Sequence, residues 1–301
     1  MIDYGALDRT VVIGNGKGGV GKTAIAANVA GLAARSGYPV LLIDLDPQGN
    51  IRDELGIRGS EVDDDGAGLA QTLMSGQPLT VTAPQARQNL DVIIGGRALS
   101  DVAAVISGRI AAGRHDGNTL AGPLAAYLSG TGYDLVVIDS PPGEAALQQA
   151  ALEAARWLVI PTQSDTASLQ GMGEIAEQMV RAGETNPALE LLGVALFNES
   201  VAATALRRDV TADITTMLGD IAPMFSTIIR TSVAGKKARR DGQLVHEYSE
   251  KLTGEAPWKA LREGRKPANP GTAPALAADY LALTNEILTQ IADREKEAVN
   301  A

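Results

Sequence analysis

"GNGKGGVGKT", residues 14–23, decides the fold. From Gly16 it fits the spacing G-x-x-x-x-G-K-[ST], a loop whose glycines let backbone N–H groups close around phosphate oxygens. The apolar run TVVIG (10–14) precedes it and the Ala-rich stretch KTAIAANVAGLAARSG (22–37) follows, so the order is strand, loop, helix. The helix N-terminus adds partial positive charge to such a loop. Lys22 is expected to reach the β- and γ-phosphates of a nucleotide, and Thr23 to place its hydroxyl on Mg²⁺. Nucleotide contacts are predicted at Gly16, Lys17, Gly18, Gly19, Val20, Gly21, Lys22, Thr23 and Ala24. The loop ends in Lys-Thr and fits a dinucleotide fingerprint poorly. Its second lysine, Lys17, is not required by this spacing.

Outward from the loop, short apolar runs alternate with helical stretches. PVLLIDLD (39–46), NLDVIIGG (89–96), YDLVVIDSPP (133–142), RWLVIPTQ (156–163), ELLGVALFN (190–198) and APMFSTII (222–229) read as strands. Helices are expected at 98–107, 118–129, 144–154, 168–183 and 201–218. This alternation predicts an α/β fold, a mostly parallel sheet flanked by helices on both faces. Acidic, Gly-rich 59–68 reads as a loop, as does 113–123. The polar stretch 248–274, with four prolines, reads as an excursion holding one short helix around Trp258, before a last helix at about 275–296. The motifs spread over most of the chain, so one domain spanning 1–301 is expected.

Composition narrows the function. The 301 residues are 45% hydrophobic but only 3% aromatic, which suits an aliphatic core under Ala-rich helices. The absence of cysteine excludes disulfides, thiolate zinc sites, a cysteine nucleophile and cysteine-held clusters. A net charge of −10 argues against bulk attraction to nucleic acid or lipid, so such binding needs a local basic patch. No signal peptide is visible and no apolar run reaches membrane-spanning length, so a cytoplasmic protein is expected.

Carboxylates mark the strand ends. LLIDLDPQGN carries Asp44 and Asp46 where an open parallel sheet faces its ligand, and DLVVIDSPPG carries Asp139 after four apolar residues. Such groups can hold Mg²⁺ through water and position an attacking water; a strand-end Asp can equally cap the next element. Basic residues concentrate at 230–240: Arg230, Lys236, Lys237, Arg239 and Arg240, with no acid before Asp241. The run reads as a solvated helix face or as a phosphate-backbone patch giving sequence-independent, salt-sensitive DNA binding. No aromatics interleave, so base stacking is not suggested.

These motifs resemble the ParA/MinD class of P-loop ATPases, over roughly residues 10–247. KGGVGKT resembles that class's deviant Walker A motif, DLDPQGN its D-x-D-P-Q-x-N stretch, and DSPP its D-x-P-P segment. The resemblance implies an ATP- and Mg²⁺-dependent ATPase that closes as a homodimer around two nucleotides. It assigns Lys17 to the partner's phosphates, where a cation in trans can neutralise charge developing in phosphoryl transfer. The residue-level alternative is that Lys17 serves its own subunit's phosphate or faces solvent. It assigns Asp46, with Lys17 and Lys22, to catalysis through orientation of the hydrolytic water. Thr23, Asp44 and Asp139 fall to the metal's surroundings. Asn198 falls at an adenine contact, though a loop-capping role fits it equally. IIRTSVAGKKARRDGQLVHEY resembles the C-terminal segment in which basic residues carry non-specific DNA binding; it departs at Ser232, where a charged residue is usual.

Within the class, a cluster-binding ATPase lacks its cysteines, an arsenite-pump ATPase its second phosphate loop, and a tyrosine autokinase its terminal tyrosines. The end ADREKEAVNA does not resemble a basic membrane-binding helix. The first predicted strand begins at Thr10, so no helix-turn-helix domain is expected before it. A small ParA-type partition ATPase fits best, acting on non-specific DNA with a ParB-like centromere-binding partner and no membrane. The alternative is a MinD-like or polar-localisation scaffold that positions a protein or membrane-associated cargo.

Overall fold

A computed structural model describes residues 2–200, 204–218, 224–264 and 266–300. Eight strands form one sheet: β1 (Thr10–Ile13), β2 (Val40–Asp44), β3 (Ala83–Arg87), β4 (Leu90–Ile93), β5 (Leu135–Asp139), β6 (Trp157–Thr162), β7 (Glu190–Glu199) and β8 (Met224–Arg230). Their order is β3-β4-β2-β5-β1-β6-β7-β8. All neighbouring pairs are parallel except β3–β4. The predicted α/β architecture is the observed one.

Buried strands explain the continuous apolar runs. In β2, Leu41 and Ile43 enter one core with helices α3 (Ala67–Ser75), α4 (Leu99–Ala111), α5 (Asn118–Leu128), α6 (Ala145–Glu153) and α7 (Thr166–Ala182). The alternate residues Val40 and Leu42 enter a second core with α1 (Lys22–Arg35), α9 (Val233–Arg240), α10 (Val245–Thr253) and α12 (Ala273–Asn300). The strand's two-residue side-chain period thus feeds both faces, as a doubly covered parallel sheet requires.

Three elements depart from the sequence reading. β3, an antiparallel edge strand, was not expected. Pro84, a positive φ at Gln85 and three polar or small neighbours hide any alternation, and an edge position tolerates the proline. Four-residue α2 (Ile51–Glu54) follows the D-x-D-P-Q-x-N stretch directly. The segment 248–274 is less irregular than expected, since α10 runs into it and α11 (Pro257–Arg262) lies within it around Trp258. The helix expected at 201–218 is described from Thr204 as α8 (Thr204–Leu218), and residues 201–203 lie outside the described set. Residues 222 and 223 of the expected strand 222–229 do so too.

Parallel strands place all their carboxyl ends on one edge. β1 lies between β5 and β6, while the chain leaves it for β2 on the β5 side, so the strand order reverses at β1. A crevice opens where an open sheet reverses its order, and there the sheet binds ligands.

Candidate phosphate and metal site

The loop between β1 and α1 crosses this crevice. Gly21, at φ +90°, caps α1, and a Cβ there would strike the ring of Phe197 at 2.4–2.6 Å, so only glycine fits. A Cβ on Gly19 would meet nothing within 4 Å, so the loop is open on its outer side. The buried Lys22 begins α1 and donates to the Lys17 carbonyl at 2.7 Å. Burial lowers its pKa, against the opposing charges of Asp139 and Asp46. Thr23 and Ala24 follow in the first turn, both half-buried.

Buried side chains outside the motif brace the loop. Asn15 accepts from the Lys17 N–H at 2.8 Å and donates to the Pro161 carbonyl at 2.8 Å. Gln148 of α6 donates to the carbonyls of Asn15 and Pro141, and accepts from Gln178 of α7 at 2.8 Å. The motif spacing contains no sign of these braces, because they tie the loop to β6, α6 and α7.

The three aspartates gather as expected of strand ends. Asp44 and Asp139 are register partners on β2 and β5, both fully buried. The two oxygens of Asp44 accept from the N–H groups of Asp46 and Ile51, at 2.9 and 3.2 Å. Burial nevertheless pushes its pKa up to about 7. Burial first, then the charge of Asp44, hold Asp139 well above the usual carboxylate range. The Thr23 hydroxyl opposes that shift from nearby, yet neither oxygen of Asp139 has a hydrogen-bond partner of good geometry. Asp46 accepts from the Gln48 N–H at 2.8 Å, and its pKa is raised by burial and opposed by Lys22.

This donor set fits a hydrated Mg²⁺. A buried carboxylate without a donor is costly, and a cation would supply the missing partner. Among the described residues no three His, Cys, Asp or Glu side chains converge as a direct cage, so Asp44 and Asp139 suit contacts through the ion's water shell.

Lys17 is partly exposed and is held by a side chain from another element. Its ammonium lies 2.6 Å from Asp165 and 3.1 Å from the Ser168 hydroxyl, across the crevice on the β6–α7 connection. Asp165 also caps α7, and Lys17 first, then Ser168, hold its pKa down to about 2. Its D-x-x-S spacing in SDTASL is the local signal that could have found it. Asn198 ends up in the left-handed region at φ +60°, its carbonyl accepting from the Thr231 hydroxyl. The preceding Phe197 covers Gly21, which puts the end of β7 beside the phosphate loop.

The basic run divides. Ser232 caps α9 through the Ala234 N–H, which accounts for the departure from a charged residue there. Ala234 and Ala238 are buried, and Val233, Lys236, Lys237 and Arg240 are exposed, an i, i+3, i+4, i+7 stripe. Arg230 instead makes a two-pronged pair with Asp279 of α12 at 2.6 and 2.7 Å. Arg239 turns inward to Asn50 and Asp53 at 2.7 and 3.0 Å. No helix among the described residues is long and apolar enough to cross a membrane.

Comparison with known proteins places this site in context. The family model described as an AAA domain matches residues 8–191. The chain is 33% identical over 260 residues to the chromosome-partitioning ATPase Soj of Thermus thermophilus, covering 85% of this chain and 94% of that protein. Its fold resembles apo McdA of Cyanothece, with a TM-score of 0.69, 23% identity, and 93% and 99% of the two chains covered. It also resembles cobyrinic acid a,c-diamide synthase of Mycobacterium smegmatis with bound ADP and magnesium, with a TM-score of 0.61, 26% identity, and 87% and 98% covered.

Proposed function

The chain belongs to the ParA/MinD family of P-loop ATPases with a deviant Walker A motif, and on that premise we propose that it is a dimerising switch that binds DNA without sequence preference. Its cargo in this reading is DNA that it partitions or positions. The single observation that carries the DNA step is the outward stripe of Lys236, Lys237 and Arg240, which breaks the acidity of a chain of charge −10. The relative Soj, named a chromosome-partitioning ATPase, supports the cargo.

In this mechanism the loop from Gly16 to Ala24 binds the ATP phosphates, with Lys22 leaving the Lys17 carbonyl for the β- and γ-phosphates. Thr23, Asp44 and Asp139 would hold Mg²⁺, which would supply positive charge against the phosphates. Asp46 orients the attacking water; its raised pKa suits a positioning group that also accepts a hydrogen bond. Asn198 borders the adenine. Lys17 exchanges Asp165 for the partner subunit's nucleotide, which ties hydrolysis to the closed homodimer. The closed dimer aligns two basic stripes on DNA, a ParB-like partner stimulates hydrolysis, and opening releases the DNA.

The test is DNA binding with ADP, ATP and a non-hydrolysable analogue, with sedimentation on the same samples and ATP turnover with and without DNA. Dimers and DNA complexes are expected only with ATP or the analogue, and turnover is expected to vanish in Asp46→Ala. DNA binding indifferent to nucleotide, or no turnover under any condition, would refute the reading.

A further inference from the structure

The stretch that follows Asp46 and the basic helix are pressed together, although they are far apart in sequence. Arg239 of α9 donates to the Asn50 side chain at 2.7 Å and to Asp53 at 3.0 Å, and its Nε lies 3.7 Å from Glu54. One turn further, Gly56 and Gly242 meet backbone to backbone: a Cβ on Gly242 would stand 2.5 Å from the Gly56 Cα, and both residues have positive φ. Arg87 straps the same seam, donating to the carbonyls of Leu55 and Gly242 while paired with Glu247. A cleft of about 610 Å³ lies beside it, lined among others by Arg58, Lys236 and Arg240.

The other end of α2 is tied to the nucleotide site. Asp44 accepts from the Ile51 N–H with one oxygen and from Asp46 with the other. Any rearrangement of Asp44 on binding nucleotide therefore pulls on the first residue of α2. Asn50 is the residue before it, and Arg239 holds Asn50.

We propose that Arg239 is a positioning residue, a strut that transmits the state of the Asp44–Asp46 stretch to α9, and not itself a DNA contact. The guanidinium is already committed to three acceptor groups of α2 and its cap, whereas Lys236, Lys237 and Arg240 on the same helix face outward. The strut sets where that outward stripe lies. The DNA arm of this inference rests on the function proposed above; the mechanical arm does not. Coupling of this kind is a two-site free energy and is reciprocal, so the strut must also alter nucleotide affinity in the presence of DNA.

The deciding measurement is amide hydrogen exchange of residues 233–240 in the full chain, with and without Mg²⁺ and a non-hydrolysable ATP analogue. In the unaltered protein the analogue is expected to change exchange in this helix, and in Arg239→Ala that response is lost while the phosphate loop still becomes protected. Asn50→Ala, which removes one acceptor and leaves the Asp53 pair, is expected to weaken the same response, and the double variant to add little to Arg239→Ala. It also carries the test should Arg239→Ala prove unstable. With DNA, the ratio of affinities in analogue and ADP, about fivefold or more for the unaltered chain, is expected to fall toward one in Arg239→Ala. An equal loss of DNA affinity in both nucleotide states with the exchange response retained would make Arg239 a plain DNA contact and overturn the strut. No response of α9 in the unaltered protein would overturn it as well. Absence of DNA binding in every state would refute the function proposed above, leaving the exchange response to decide the strut.

Discussion

The Lys17 ammonium and the Asp165 carboxylate are ion-paired at 2.6 Å within one chain. The lysine that distinguishes this phosphate loop is thus held by the cap of α7, on the far side of β6. Any role for Lys17 in a partner subunit begins with release from Asp165.

That release has a bounded cost. The pair is partly exposed, at 32% for Lys17 and 46% for Asp165, so it contributes at most about 1 kcal/mol. Asp165→Asn keeps a capping oxygen for the Ser168 N–H and removes the charge. ATP-dependent self-association in sedimentation should tighten by up to about 30-fold, about fivefold for each of the two pairs released, with little change in melting temperature. Weaker association would show that Asp165 supports the dimer.

Asp139 separates folding from metal binding. Burial disfavours the charged form of its carboxyl, and Asp139→Asn removes that charge while keeping the shape. Stability without ligand should change by no more than about 1 kcal/mol at pH 7. The extra thermal stabilisation that Mg²⁺ adds to ATP should largely vanish. A variant that responds to Mg²⁺–ATP as the unaltered protein does would remove Asp139 from the metal's surroundings.

The basic run should behave as two groups. Replacing Lys236, Lys237 and Arg240 by Ala should leave stability nearly unchanged. It should reduce the slope of log affinity against log salt for duplex DNA by about 3 for each subunit of the dimer, one counterion per lost cation. Arg230→Ala should instead destabilise by about 2 kcal/mol, because Asp279, largely buried, loses the guanidinium that pairs with it. Chemical denaturation and a salt titration of DNA binding distinguish the two; retained salt sensitivity in the triple variant would show that another surface binds DNA.

Glu54 predicts a pH dependence. Burial raises its pKa to about 7 in the fold, opposed by Arg239, from an ordinary value near 4.5. The unfolded chain therefore releases this proton first, and the contribution of Glu54 to stability falls as pH rises from about 4.5 to 7. Glu54→Gln should flatten that fall by about 2–3 kcal/mol at the upper end. Denaturation midpoints at pH 5 and pH 7.5 measure it; parallel profiles for both proteins would refute it.

The sequence made the parallel sheet and the nucleotide site legible for a local reason. A buried strand is an apolar run, and the groups that it delivers to the ligand edge stand at its end: the glycine loop after Ile13, Asp44 and Asp46 after Ile43, Asp139 after Ile138. Each signal is complete within about ten residues, and parallel pairing then aligns them. β3 escaped because an edge strand with Pro84 has no alternation to read. The braces Asn15 and Gln148 escaped because each acts across the crevice.

The amino-acid sequence alone therefore determined the strand–loop–helix order of the phosphate-loop motif and the strand ends that carry Asp44, Asp46 and Asp139. Only the tertiary structure decided which charges face outward. Arg230 and Arg239 look equal to Lys236, Lys237 and Arg240 in the run 230–240, which meets no acid before Asp241. Their partners Asp279 and Asp53 lie 49 and 186 residues away and arrive by packing of α12 and α2. A charge's availability depends on what is folded against it, and Coulomb attraction acts through space rather than along the chain.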